Sequence, residues 1–219
     1  MNLLLDIDIK HLPEPIRYGE KIMLIGSCFT EHIGNALRSL KFDILQNPHG
    51  ILFGPDSVHR VVSSLVSGKT YTANDLFYLQ ETYSSWQHHS RFSHSEAELA
   101  LQRMNNAQEE ASAFLRKANW LIITLGSAFS YRLTEQAALA GEQPGNGVAN
   151  CHRAPSAWFN KTLLTATEVS ELLQQTADAI RKINPSLRII YTISPVRHIR
   201  DGVVENNRSK ARLIEAVHQ

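Results

Sequence analysis

Cysteine is scarce in this sequence: Cys28 and Cys151 are the only two among 219 residues. Two isolated thiols cannot build a disulfide framework, and neither belongs to a C-x-x-C pair of the kind used for zinc or redox chemistry. Long apolar runs are also missing. The N-terminus, MNLLLDIDIK, offers three consecutive leucines and then two aspartates. That is too short and too acidic for a secretory apolar region, and no run approaches a membrane span. The sequence therefore reads as cytoplasmic, with no membrane contact. There is no excess of charge of either sign, since 22 Lys and Arg face 21 Asp and Glu for a net charge of +1. A modest basic group at Arg197, Arg200, Arg208, Lys210 and Arg212 has no interleaved aromatics, which argues against nucleic acid as a partner.

What is present is an ordinary globular composition, 43% hydrophobic and 20% charged, long enough to bury a substantial core. Four apolar runs read as buried parallel strands: Lys21 to Ile25, Phe42 to Leu45, Trp120 to Leu125 and Arg188 to Ile193. Helical patterns alternate with them. They cover Thr30 to Leu40, Asp56 to Val66 with Asp56 or Ser57 as N-cap, and Ser95 to Leu115 capped by Ser95. Another follows Val169 to Ile183 and stops at Asn184-Pro185, and the last spans Glu205 to Gln219. This alternation predicts an α/β fold with a parallel sheet between helices. Two long polar stretches, Thr70 to His94 and Leu133 to Phe159, fall outside the alternation and read as functional or poorly ordered loops.

Open parallel sheets place their sites beyond the carboxyl ends of the strands. Four segments lie there: Gly26-Ser27-Cys28, Asn47-Pro48-His49-Gly50, Gly126-Ser127-Ala128 and Ser194-Pro195-Val196. Ser27 stands where a strand turns into a helix. Such a turn exposes a hydroxyl, and the free N–H groups of the helix start favour a developing oxyanion, so Ser27 is a candidate nucleophile. The competing reading is a serine that only caps the helix.

Five segments occur in a fixed order: GSCF at 26–29, NPHGILFGP at 47–55, TLGSAF at 124–129, ANCHRAP at 149–155 and SPVRHIRDG at 194–202. Together they resemble the GSCFA domain family, which is similar to the SGNH/GDSL hydrolases. The resemblance runs from about Lys21 to Gln219. It implies a flavodoxin-like three-layer α/β/α sandwich and esterase activity without a cofactor, with residues 1–219 as a single SGNH-like domain. Thr30 departs from the alanine of the family's name motif.

By the same resemblance Ser27 matches the nucleophile, and the N–H groups of Ser27 and Gly50 match an oxyanion hole. Gly126 opens the block that carries Gly-x-Asn in the wider superfamily. Ala128 stands in the asparagine's place, which leaves Asn150 and His152 as substitute donors. SGNH enzymes place an Asp-x-x-His beyond the last strand as orienting acid and base. The two such strings here, Asp8 to His11 and Asp56 to His59, come too early in the chain. The expectation is a pair beyond Gln219, so that the domain is truncated at its C-terminus. Within the chain, His198 with Asp201 three residues on is the alternative base, a transition-state donor or a structural histidine.

His88, His89 and His94 form the densest histidine group, but their spacing matches no zinc signature, and no metal is expected. The resemblance places Trp86 to Phe92 over the cleft, with Trp86, His89 and His152 as candidate substrate contacts; Trp158 and Phe159 fit either that role or a satellite core. The favoured reading is a serine hydrolase that deacylates a carbohydrate or small ester. Its competitors are a degenerate hydrolase that binds a glycan without turnover and a metal-dependent hydrolase.

Overall fold

A computed structural model describes residues 13–140, 143–197 and 202–219. The four apolar runs become strands β1 (Lys21–Gly26), β2 (Asp43–Gln46), β5 (Trp120–Leu125) and β9 (Arg188–Ile193). They form one parallel sheet in the order β2-β1-β5-β9. In register, Gly26 lies opposite Thr124, and Leu125 opposite Ile193. Strand order reverses between β1 and β5, the topological position at which open parallel sheets form their ligand crevice.

Five helices accompany the sheet: α1 (Cys28–Ser39), α2 (Pro55–Ser67), α3 (Ala97–Leu115), α4 (Ala166–Arg181) and α5 (Val203–His218). Successive strand residues point to opposite faces, and here both faces are covered. Met23, Ile25, Leu121, Ile123 and Leu125 join the main core, with Val58, Val62 and Leu65 of α2, Leu115 of α3, Val169 and Leu173 of α4 and Leu213 of α5. On the other face Ile22, Leu24 and Trp120 pack with Leu37 of α1 and Phe42. The α/β architecture expected from the sequence is thus present, with helices flanking a parallel sheet. Among the described residues no helix is long and apolar enough to cross a membrane.

The helix starts differ from expectation. α2 is capped by Gly54 with Pro55 in its first turn, and α3 by Glu96. Asp56 is instead drawn inward: it is 6% exposed, accepts hydrogen bonds from the Ser57 N–H and the Ser130 hydroxyl, and pairs with Arg60. α4 starts in a capping box between Thr165 and Glu168. Among the described residues the two polar stretches contain regular structure. The first contains a hairpin of β3 (Phe77–Leu79) and β4 (Thr82–Ser84). The second contributes β7 (Gly147–Val148) to an antiparallel sheet with β6 (Phe129–Leu133) and β8 (Phe159–Leu163), in the order β7-β6-β8. Under this layer Phe77, Trp86, Leu133, Ala137 and Val148 make a second core.

Candidate functional site at the ends of β1 and β5

The turn from β1 into α1 depends on Gly26. Its φ is +151°, and a Cβ there would sit 2.2 Å from the Thr124 carbonyl oxygen. The next residue, Ser27, is the N-cap of α1, but its side chain makes no cap hydrogen bond. Its hydroxyl is buried without a partner, and the residue is 1% exposed. The junction expected from the sequence therefore exists, and helix capping does not explain the serine. The hydroxyl is covered rather than presented to solvent, contrary to the exposure expected of a strand-to-helix turn. Gly126 forms part of the cover, since a Cβ on it would lie 3.2 Å from that of Ser27 and 2.8 Å from the Phe53 ring.

Both N–H groups expected to form an oxyanion hole are occupied. The Ser27 N–H donates to Thr124 O (3.1 Å), continuing the β1–β5 ladder. The Gly50 N–H donates to Asn47 O (2.7 Å), closing the turn after β2. Gly50 has φ +89°, and a Cβ there would lie 2.1 Å from that of His89. Donors do remain at the helix start, where Cys28 and Phe29 in the first turn have no intrahelical acceptor.

Asn47, which sequence reasoning did not single out, ties this region together. Its Oδ1 accepts from the Gly26 N–H (2.9 Å), and its own N–H donates to Leu24 O (2.8 Å). Arg91 donates to its carbonyl. Asn47 is fully buried at φ +44°, and its Nδ2 has no partner. The unpaired Asn47 amide and the unpaired Ser27 hydroxyl are both buried, an arrangement that is costly for folding alone.

α5 closes the other side. Ser209 Oγ accepts from the Ala128 N–H (2.8 Å) and lies 3.3 Å from Ser127 Oγ. The Lys210 ammonium donates to Gly126 O (2.7 Å) and Ser194 O (2.6 Å), bridging the carboxyl ends of β5 and β9. Burial lowers the Lys210 pKa from the usual lysine range, opposed by the nearby Cys28 thiol group. Ala128, which has no side-chain donor of its own, thus brings its backbone N–H to Ser209.

The other predicted residues divide between two places. His89, half-buried, covers Gly50, and its Nδ1 accepts from the Arg91 N–H (3.2 Å). Burial lowers its pKa. Asn150 and His152 line a groove of about 570 Å³ with Ser84, Ser90, Ser93 and Arg153, a lining that does not include Ser27. The Asn150 Nδ2 is buried and unpaired. His152 donates through Nε2 to Ser85 O (2.9 Å), and burial lowers its pKa. Trp86 is in the second core rather than on a cleft wall, stacked 3.7 Å from Phe77. Trp158 and Phe159 pack against that core. His198 and Asp201 lie outside the described residues, as do Asp8 and His11. His59, the end of the other Asp-x-x-His string, faces α4 and bonds to Thr176 Oγ1 (3.0 Å).

His88 and His49 do not converge on a metal position. Their rings stack 4.3 Å apart in full burial, with His49 Nε2 on Gln108 Oε1 (2.8 Å) and His88 Nδ1 on Ser85 Oγ (3.2 Å). The His89 N–H donates to His49 O (2.9 Å), so the stacked pair anchors the turn that carries Gly50.

The family model described as the GSCFA family matches residues 21–219. No curated protein and no solved structure matches the chain.

Proposed function

The chain belongs to the GSCFA family, and from that membership together with the crevice at the switch point we propose that it is an SGNH-type serine ester hydrolase with Ser27 as nucleophile. The observation that carries this reading is the Ser27 hydroxyl itself. It is buried, unpaired and placed where β1 meets α1, beside the end of β5. A structural serine in such a place would cap its helix or bond to a neighbour.

In the proposed reaction Ser27 Oγ attacks the acyl carbon of an ester and its proton passes to a histidine base. The tetrahedral oxyanion collapses, and the leaving alkoxide takes the proton back. Water then hydrolyses the acyl-enzyme by the same route. The donors left for the oxyanion are the first-turn N–H groups of Cys28 and Phe29 and the Asn47 amide, because those of Ser27 and Gly50 are engaged. His198 and Asp201 remain the base and orienting acid proposed within this sequence. With Ser27 at 1% exposure, substrate entry requires the cover over the crevice to shift. A carbohydrate or small acyl ester is the proposed substrate class.

A second reading, glycan binding without turnover, is favoured by the same occupied N–H groups and covered hydroxyl. The test is labelling by a fluorophosphonate probe followed by peptide mapping. Covalent modification of Ser27, lost in Ser27→Ala, supports the hydrolase. An unmodified wild-type protein that binds a glycan equally well with or without the Ser27 hydroxyl supports the second reading.

A further inference from the structure

The charged and hydroxyl side chains around Ser27 come from an unexpected element. α5 sends two consecutive residues across the strand ends, and each one bridges. Ser209, 2% exposed, holds the turn after β5 through the Ala128 N–H and Ser127 Oγ. Lys210 joins that turn to the one after β9 by donating to Gly126 O at 2.7 Å and Ser194 O at 2.6 Å. Gly126 packs against the Ser27 side chain, since a Cβ added to it would lie 3.2 Å from that of Ser27. That wall is held from one side by the Gly126 and Ser127 N–H groups on Phe53 O (2.8 and 3.0 Å) and from the other by the Lys210 ammonium on Gly126 O.

An ammonium has three donors, and two are accounted for by the carbonyl oxygens. Peptide carbonyls do not neutralise the charge, and the titratable group it faces is Cys28, the residue after Ser27. A lysine that only braced two turns could sit anywhere along them. This one brings positive charge to the Gly126 carbonyl at the end of β5 with no carboxylate bonded to it among the described residues, close to where negative charge would develop on an acyl substrate at Ser27.

We propose that Lys210, seated by Ser209, is a positioning residue for Ser27: it helps to fix the Gly126 wall that packs against the Ser27 side chain and holds a positive charge behind that wall. The inference rests on the hydrolase reading above. The bonds define the geometry, and the charge defines the chemistry.

The experiment measures fluorophosphonate labelling rates from pH 5 to 9 for wild-type protein, Lys210→Met, Lys210→Arg and Ser209→Ala. Amide exchange is followed at Gly126 to Ala128 in the same samples. Lys210→Met should slow labelling by about 100-fold, the cost of a misplaced wall. It should also raise the apparent pKa of labelling by about one unit, because a nearby cation is lost. Lys210→Arg, which keeps the charge and two donors, should recover most of the rate and the original pH profile. Ser209→Ala should speed exchange at Ala128 and slow labelling without moving the pH profile. Wild-type labelling with an unchanged Lys210→Met rate and profile overturns the role of Lys210 and leaves the hydrolase reading intact. A slower Lys210→Met variant with the wild-type pH profile and no rescue by arginine reduces the lysine to a brace and also overturns it. Wild-type protein that never labels overturns the nucleophile reading, and this inference with it.

Discussion

Acid should unfold this protein through its stacked histidines, and the structure gives the size of the effect. His49 and His88 are both fully buried, 4.3 Å apart ring to ring, with Tyr71 edge-on to His88 at 4.6 Å. Gln108 donates through its Nε2 to Ser64 O (2.8 Å), so its Oε1 accepts from His49 and fixes that ring as the Nε2–H tautomer. Burial pushes the pKa of His49 down to about 4. Burial, and then the charge that His49 would carry, push His88 down to about 2. Both folded values lie below the unfolded one near 6.5, so the unfolded chain takes up protons first. Stability is therefore complete above about pH 6.5 and falls as the pH drops towards the folded values. At pH 4.5 each ring forfeits roughly 2–3 kcal/mol, and the pair roughly 5 kcal/mol, relative to pH 8. That is comparable with the whole stability of a small domain, roughly 5–15 kcal/mol. Urea unfolding followed by circular dichroism at steps between pH 8 and 4.5 measures it. His88→Gln, which keeps a neutral polar group beside Ser85, should lose about half of the pH dependence attributed to the pair. A wild-type unfolding free energy that stays flat from pH 6.5 to 4.5 would refute the reasoning. So would ring nitrogens that titrate near 6.5 by NMR in the folded protein.

Three other substitutions test the crevice. Ser27→Ala should leave thermal stability unchanged within about 0.5 kcal/mol, because the hydroxyl has no partner to lose; a loss beyond about 2 kcal/mol would mean that it holds the fold. Gly26→Ala forces a Cβ to 2.2 Å from the Thr124 carbonyl at φ +151°. It should cost at least about 3 kcal/mol in urea unfolding, and a variant within about 1 kcal/mol of wild type would contradict the turn geometry. Asn47→Asp keeps an Oδ1 acceptor for the Gly26 N–H but removes the unpaired Nδ2. Probe labelling should fall by about 100-fold in the protein that remains folded, whereas labelling at the wild-type rate would remove Asn47 from the oxyanion site.

The central sheet was legible because β1 and β5 are buried almost throughout and read as unbroken apolar runs. β8 escaped notice for the opposite reason. Its three middle residues are exposed, so FNKTL carries no apolar alternation, although Lys161 lies over the Phe129 ring of the paired strand at 3.9 Å. Ser27 was found because a glycine and a polar residue interrupt a strand-to-helix change. Asn47 was not, since a residue before proline is expected to be extended. Its φ of +44° is imposed by hydrogen bonds from both its backbone and its side chain. Lys210 was legible only as one member of a basic group. A lysine within a helical pattern reads as part of a solvated face, and its bond partners, Gly126 O and Ser194 O, lie 84 and 16 residues away.

The two sides of the crevice are fastened by different means. On the β2 side the Asn47 N–H to Leu24 O bond (2.8 Å) and the Leu52 N–H to Gly26 O bond (2.9 Å) join main chain to main chain, and the side chains of Asn47 and Arg91 add to them. On the β9 side the described bonds from α5 run through the tips of a serine and a lysine. Side-chain tips can exchange their carbonyl partners for water within a rotamer change, whereas a mesh of peptide groups must break cooperatively. The bonds from α5 are therefore the fastenings that can loosen one at a time. A disulfide or cross-link pinning α5 to the β9 end should shut Ser27 away from any probe, while one across the β1–β2 ends should leave its accessibility as it was.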